Sequence, residues 1–327
     1  MLKELKSLPS KIFLPACIIS WRPYILVSFE KDFLNQKTAF IRSIGTRRTY
    51  ILLHLGWQCE DMDAAAKLVE ELQPITSLHT NLRIVILCNS EMEDQNFKQL
   101  KFPSTICNHN IMLDENRYKV MSKAEKRFDA IYLARFTPFK RHYLAKGITK
   151  IKLIGGFLPK ETEYARETQA MFKNVTIMER VSSRKVSAQM NECRVGLCLS
   201  AEEGAMYVSA EYLLSGLPIV NTYNKGGRDS LFDQRYCFYV DAEEVSVKNT
   251  VAAVCQMHLD PEKIRQATID RIHKHRQLFI DYIQGIYNAE GSLSDYRKIW
   301  RKVFFHKLGL RCGLNLTRLR QIPRRRF

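Results

Sequence analysis

Three short segments of the chain carry residues whose types and spacing suit chemistry. The first, Ala134 to Arg141, sets Arg135 and Lys140 five residues apart. Two fixed cations on a loop that runs into a helix N-terminus suit an anion such as a diphosphate, which the helix dipole also favours. Taken alone, the same loop is what a solvated basic turn looks like. The second, Ser200 to Glu211, holds Glu203 followed by Gly204, Ala205 and Met206, and then Glu211. Gly204 permits a tight turn from strand to helix, so Glu203 is expected at a cleft and Glu211 inside the helix. Ionised carboxylates offer only acceptors and polyols offer donors, so the pair suits sugar hydroxyls. The third, Thr222 to Asp229, passes through Gly226 and Gly227, whose backbone amides suit an approach to phosphate.

The elements around these segments alternate in type. From Phe128 onward the apolar runs predict strands at Ala130 to Leu133, Lys152 to Ile154, Val175 to Met178, Val195 to Leu199, Pro218 to Val220 and Cys237 to Val240. Helical patterns fall between them, at roughly Lys140 to Lys146, Lys160 to Phe172, Ser182 to Asn191, Tyr207 to Ser215 and Gly227 to Phe232. Six strands with intervening helices make one doubly wound α/β domain, in which ligands bind beyond the carboxyl ends of the strands. The three loaded segments are all strand-to-helix loops. Upstream, strands are expected at Ile12 to Ile19, Tyr24 to Phe29, Tyr50 to Leu55, Arg83 to Cys88 and Ser104 to Cys107, with a helix from Asp61 to Leu72, again the pattern of a parallel sheet covered by helices. Asp260-Pro261 opens a long helix to about Tyr287, with Pro in its first turn where the missing amide hydrogen costs least. A further helix follows from Ser294 to about Phe305.

Arg135 with Lys140, Glu203-Gly204 with Glu211, the run Ser215-Gly216-Leu217-Pro218-Ile219-Val220, and Gly226-Gly227 together resemble the donor domain of GT-B retaining glycosyltransferases, in particular family four, the group 1 glycosyl transferases. The likeness covers about residues 128 to 240 and rests on order and spacing together. It implies a GT-B fold of two Rossmann-like domains facing across a cleft, the N-terminal one shortened. Residues 1–126 would form the acceptor-side domain, 127–285 the nucleotide-sugar domain, and 286–327 a terminal helix and tail. It implies a hexosyltransferase that moves a sugar from a UDP- or GDP-sugar to a carbohydrate or lipid-linked acceptor with retention, using no metal and no other cofactor. Arg135 and Lys140 would bind the donor diphosphate. Glu203, with Gly204, Ala205 and Met206, would meet the transferred sugar, and Glu211 would accept from the ribose hydroxyls. The segment Met178 to Val181, including Arg180 and Val181, would lie near the base. Where the family usually follows its first Glu with Gly, an aromatic and Gly, this chain has Gly204, Ala205 and Met206. A non-catalytic nucleotide- or glycan-binding protein on the same fold is the alternative, and a nucleic-acid-modifying transferase a further one.

His109 precedes the expected boundary and is a candidate to contact sugar or acceptor, with a loop histidine of no active role as the alternative. Asp61-Met62-Asp63 has the form of a metal-binding Asp-x-Asp, but it opens an Ala-rich helix, where capping explains it better. His273 and His275 read as surface residues. The nine cysteines are irregularly spaced and several fall in expected strands, so buried thiols are expected and a metal site is not.

Composition sets the broad class. With 46% hydrophobic and 26% charged residues the chain reads as globular, and two domains are the natural prior for 327 residues. No apolar run reaches the roughly 18 residues of a membrane span, and Pro15 with the charges after Trp21 argues against a secretory signal, so a cytoplasmic protein is expected. The formal charge is +17, and residues 301–327 hold nine Lys or Arg and no acid. Such a basic tail, mixed with Phe304, Phe305 and several leucines, suits a peripheral contact with an anionic membrane surface. A solvated end that packs back on the body is the other reading. No nucleic-acid module is present, so nucleic acid is not expected as a partner.

Overall fold

The computed structural model describes residues 13–172, 176–178, 181, 183–309 and 314–315. Arg180 and most of the basic tail beyond residue 309 therefore lie outside the described residues. Contacts divide the chain into two compact units, one of residues 1–112 with 276–327 and one of residues 113–275.

The first unit begins with β1 (Phe13–Leu14), β2 (Ala16–Trp21) and β3 (Tyr24–Phe29), followed by α1 (Glu30–Asn35), α2 (Lys37–Ile44), β4 (Thr49–His54), α3 (Met62–Leu78), β5 (Leu82–Cys88), α4 (Glu91–Gln99) and β6 (Ser104–Ile106). The five-stranded sheet runs β2-β3-β4-β5-β6. Its pairs are parallel except β2 with β3, which is antiparallel. The expectation of a wholly parallel sheet is corrected here: only Arg22 and Pro23 separate these strands, and a parallel connection needs a crossover of about a dozen residues. The expected strand Ile12 to Ile19 is also split at Pro15, which cannot donate to a ladder. Conversely α3 runs on through Pro74 to Leu78. Pro74 and Glu70 are both exposed, so water can take the Glu70 carbonyl that the proline leaves without its helical donor. One sheet face packs Leu26, Ile51, Leu53 and Ile84 with Phe33, Phe40, Leu68 and Leu72 of the helices.

The second unit comprises β7 (Phe128–Leu133), β8 (Ile151–Ile154), α5 (Thr162–Met171), β9 (Thr176–Met178), α6 (Ser183–Asn191), β10 (Cys193–Cys198), α7 (Tyr207–Leu214), β11 (Ile219–Thr222), β12 (Cys237–Val240) and α8 (Glu244–Cys255). Its six strands are all parallel, in the order β12-β11-β10-β7-β8-β9. Numbered within the unit this is 6-5-4-1-2-3, the doubly wound dinucleotide-fold order, with its switch point between β7 and β10. Because successive strand residues face opposite sides, Ala130 and Tyr132 join one core with Leu153, Val195 and Val247. Ile131 joins the other, with Met190, Tyr212 and Leu213. Gly196 is needed on β10: a Cβ there would come within 2.4 Å of the Tyr212 ring, so its absence lets α7 lie close on the sheet.

The long helix α9 (Pro261–Ala289) contains the division between the units, and α10 (Tyr296–Val303) and β13 (Leu314–Asn315) belong to the first. Within that unit the Tyr287 hydroxyl meets Ser20 Oγ at 2.5 Å and Tyr50 donates to Glu290 at 2.6 Å. Trp300 packs edge-on to Phe279, ring centroids 5.6 Å apart, and Leu308 is fully buried. The aromatic face of residues 296–308 thus packs on its own unit. Among the described residues no helix is long and apolar enough to cross a membrane. The eight described cysteines are free thiols, seven of them buried; Cys312 lies outside the described residues.

Candidate functional site

The carboxyl ends of β7, β10 and β11 carry the three loaded loops, and the second unit joins them through side chains. After β7 the chain does not form the expected helix over Lys140 to Lys146. Two short 3-10 turns stand there instead, Pro138–Lys140 and His142–Ala145, separated by Arg141 in the left-handed region at φ 50. The reason is visible in the Arg141 side chain. Its Nε donates to the Leu199 carbonyl at 2.6 Å and a terminal nitrogen to Thr222 Oγ1 at 2.7 Å, so Arg141 clasps the ends of β10 and β11 at the cost of the helix. Beside it, Gly155 lets the backbone after β8 approach: a Cβ there would sit 1.9 Å from the Ala134 carbonyl oxygen.

Lys140 pairs with Glu203, its amine on Oε1 of the carboxylate. The two side chains are only 11% and 9% exposed, so this is not a solvated surface pair. Glu203 Oε1 also accepts from Ser200 Oγ at 2.6 Å. The Tyr132 hydroxyl donates to the Lys140 carbonyl at 2.5 Å, holding the turn from below. Arg135 sits more openly, 46% exposed, with its Nε 3.3 Å from Glu161 Oε1. Burial works against ionisation of Glu161, but the Leu158 amide, the Thr137 side chain and Arg135 together hold its carboxyl below the usual range. Arg135 and Lys140 lie against the same ring, 5.8 and 5.1 Å from the Phe139 centroid.

After β10 the backbone turns into α7 through Met206, left-handed at φ 44, and the Met206 side chain goes into an apolar core. Ala205 is fully buried. Glu211 lies in α7, buried, and accepts from the Tyr118 hydroxyl at 2.8 Å. Burial, and then the Glu211 charge, push the Tyr118 phenol well up, so Tyr118 remains the donor. The loop after β11 is tied to the one after β10: the Lys225 amide donates to the Ala201 carbonyl at 2.9 Å and the Glu203 amide to the Lys225 carbonyl at 3.0 Å. The expected helix over Gly227 to Phe232 is a single 3-10 turn, Gly227–Asp229, too short a segment to offset helix nucleation.

Among the described residues, the largest fully buried side chain is one that residue types alone did not single out, Arg228. It donates to the Ser200 carbonyl at 3.0 Å, to Ser200 Oγ at 3.2 Å and to the Thr222 carbonyl at 2.5 Å, and pairs with Asp229 at 3.0 Å. Its position directly after Gly226-Gly227 was the available signal. Tyr118, outside every loaded segment, had none. The structure thus brings Lys140 and Glu203 into contact and sets Arg135 and Lys140 on one ring, while Glu211 is held by Tyr118. Val181 packs on the core that contains Ile131 and Met206.

In the first unit, His109 is buried near His54 and Phe29, with centroids 6.2 and 6.0 Å away. Burial, then His54, then Lys307 hold its imidazole well below the usual range, so it is neutral. Asp61 precedes α3 at its N-cap position and accepts from Gln58 at 3.0 Å. His273 is exposed and meets Glu115 at 2.7 Å. Among the described residues no group of three or more His, Cys, Asp or Glu is placed to hold a metal ion.

No family model and no curated protein matches the chain. Solved structures do. Anabaena Alr3699/HepE in complex with UDP and glucose is similar over 80% of this chain and 77% of its own, at 15% identity and a TM-score of 0.62. Sucrose-phosphate synthase from Thermosynechococcus elongatus is similar over 79% and 78%, at 12% identity and 0.56. The S. aureus TarM G117R mutant, in complex with Fondaparinux, alpha-GlcNAc-glycerol and UDP, is similar over 79% of this chain and 54% of its own, at 11% identity and 0.56. At such identities the likeness is one of fold. The chain has an α/β fold of two Rossmann-like units, the GT-B fold, shared with these structures.

Proposed function

We propose that this protein is a glycosyltransferase whose second unit binds a nucleotide diphosphate sugar, and that it passes the sugar to a carbohydrate or lipid-linked acceptor with retention. The observation that carries the reading is the nearly buried Lys140–Glu203 pair at the carboxyl ends of β7 and β10, flanking the switch point where such sheets bind nucleotides. Lys140 and Arg135 supply the positive charge that a diphosphate needs, and they stabilise it as it leaves without a metal ion. Glu203 and the turn through Gly204, Ala205 and Met206 face the sugar, with Met206 directing its side chain into the core and its backbone to the loop. Glu211 serves the ribose, and Val181 and Arg180 the base. In the front-face route the bond from the anomeric carbon to the diphosphate oxygen breaks, and the acceptor oxygen bonds the same carbon on the same face. The acceptor proton passes to the departing phosphate. That HepE and TarM were captured with UDP supports the choice of donor class.

The test is a thermal-shift panel of UDP, GDP and their sugars, since a ligand that binds only the folded state raises its melting temperature, followed by assay of donor hydrolysis. Stabilisation by a nucleotide diphosphate and slow release of free sugar are expected. Binding with no hydrolysis and no transfer to any glycan or lipid-linked acceptor favours the non-catalytic binding protein. No stabilisation by any nucleotide refutes the transferase and leaves, of the alternative, only a glycan-binding protein.

A further inference from the structure

We infer that Arg228 is a positioning residue for Glu203, acting through Ser200 by tying the loop after β10 to the loop after β11. The inference rests on the donor-site reading above and adds to it a residue that does not itself touch the donor.

The geometry is specific. Arg228 is fully buried, and a buried guanidinium must satisfy its donors internally. Its donors go to both loops: Ser200 carbonyl and hydroxyl on one side, the Thr222 carbonyl on the other. Ser200 is also fully buried. With Arg228 donating to its oxygen, the Ser200 hydroxyl hydrogen is directed elsewhere, and its partner is Glu203 Oε1 at 2.6 Å. A chain of two hydrogen bonds therefore runs from Arg228 to the carboxylate, and the Lys140 amine meets that carboxylate on the same oxygen. The second carboxylate oxygen is left out of this chain. Asp229 anchors the far side, pairing with Arg228 and accepting from Asn221 Nδ2 at 3.1 Å. A lysine at position 228 has the charge but no planar fork, so it cannot reach both loops at once.

The test compares Arg228→Lys and Ser200→Ala with the wild type, using the full chain, UDP as the binding probe and the UDP-sugar that stabilises it most as the substrate. Ser200→Ala removes only the hydroxyl, so it remains informative if Arg228→Lys fails to fold. Each variant is expected to lower kcat by about 10- to 100-fold, the usual effect of losing one hydrogen bond to a charged group, while the Kd for UDP stays within about twofold. The double variant should be little worse than either single one, because both act on the same carboxylate. A purely structural role would instead weaken UDP binding and turnover together, or give additive losses, and either result overturns the inference. Hydrogen exchange reads the tie without any nucleotide: Arg228→Lys should expose the amides of both loops, residues 199–206 and 222–229. Unchanged exchange overturns the inference even where UDP binds normally, whereas a wild type that ignores UDP overturns only the donor-site reading.

Discussion

Removing the Glu203 charge should tighten the binding of UDP, although Glu203 stands in the proposed site. Lys140 and Glu203 form a pair with only about a tenth of each side chain exposed, so solvent screens it weakly. A diphosphate brought to the Lys140 amine would stand a few ångströms from the Glu203 carboxylate. At about 6 Å and an effective dielectric of about 20, two like unit charges repel by about 3 kcal/mol. Glu203→Gln removes that repulsion and keeps the acceptor for Ser200. Even half of this figure corresponds to about a tenfold lower Kd for UDP. Lys140→Ala should act in the opposite sense, losing a charge-assisted hydrogen bond of about 1.5–3 kcal/mol and so raising the Kd by about 10- to 100-fold. The extra affinity contributed by the sugar of a UDP-sugar should shrink in Glu203→Gln, because an amide is a poorer acceptor for hydroxyls than a carboxylate. Isothermal titration at one fixed ionic strength measures all three. If both variants weaken UDP alike, or Lys140→Ala leaves it unchanged, the pairing does not sit at a diphosphate site and the reasoning is refuted.

Gly155→Ala should destabilise the second unit by more than the usual 1–3 kcal/mol of overpacking, because the added carbon meets the Ala134 backbone at 1.9 Å rather than a side chain; chemical denaturation measures this, and a loss within or below that range contradicts it. Burial lowers the imidazoles of His54 and His142 to about 3. Below the unfolded value of about 6.5 the unfolded chain takes up protons that the folded one refuses, so stability is lost as pH falls from 6.5 toward 3 and is flat above, by about 1.4 kcal/mol per pH unit per histidine. His54→Asn should flatten the slope of unfolding free energy between pH 6.5 and 5, and an unchanged slope tells against the buried neutral ring. Excess EDTA should leave the thermal shift given by UDP unaltered, whereas its disappearance would point to a metal-bridged diphosphate.

What the sequence carried was whatever depends on neighbours in the chain. Unbroken Val, Ile and Leu runs mark strands buried on both faces, and Tyr24–Phe29 has those bounds in the structure; Cys237–Val240 also keeps its bounds, as an edge strand with Tyr239 exposed. The Gly-rich and charged strand-to-helix loops were legible because a doubly wound sheet puts its ligands there. Long-range partners were not. The left-handed Arg141 breaks a segment with good helical residues because its guanidinium reaches Leu199 and Thr222, 58 and 81 residues on. Tyr118 finds Glu211 across 93 residues, and Tyr287 finds Ser20 across 267; no local pattern encodes either. Arg228 looked like one more cation in a very basic chain, marked only by its place directly after Gly226-Gly227, and its burial depends on partners that no local pattern encodes.

The most direct measurement of the central claim is a crystal structure of the protein soaked with UDP. The account predicts the diphosphate at the carboxyl ends of β7 and β10, with a phosphate oxygen within hydrogen-bond distance of the Lys140 amine, that amine drawn away from Glu203, and ribose hydroxyls on Glu211. UDP bound elsewhere on the chain, with Lys140 still closed on Glu203, would contradict it.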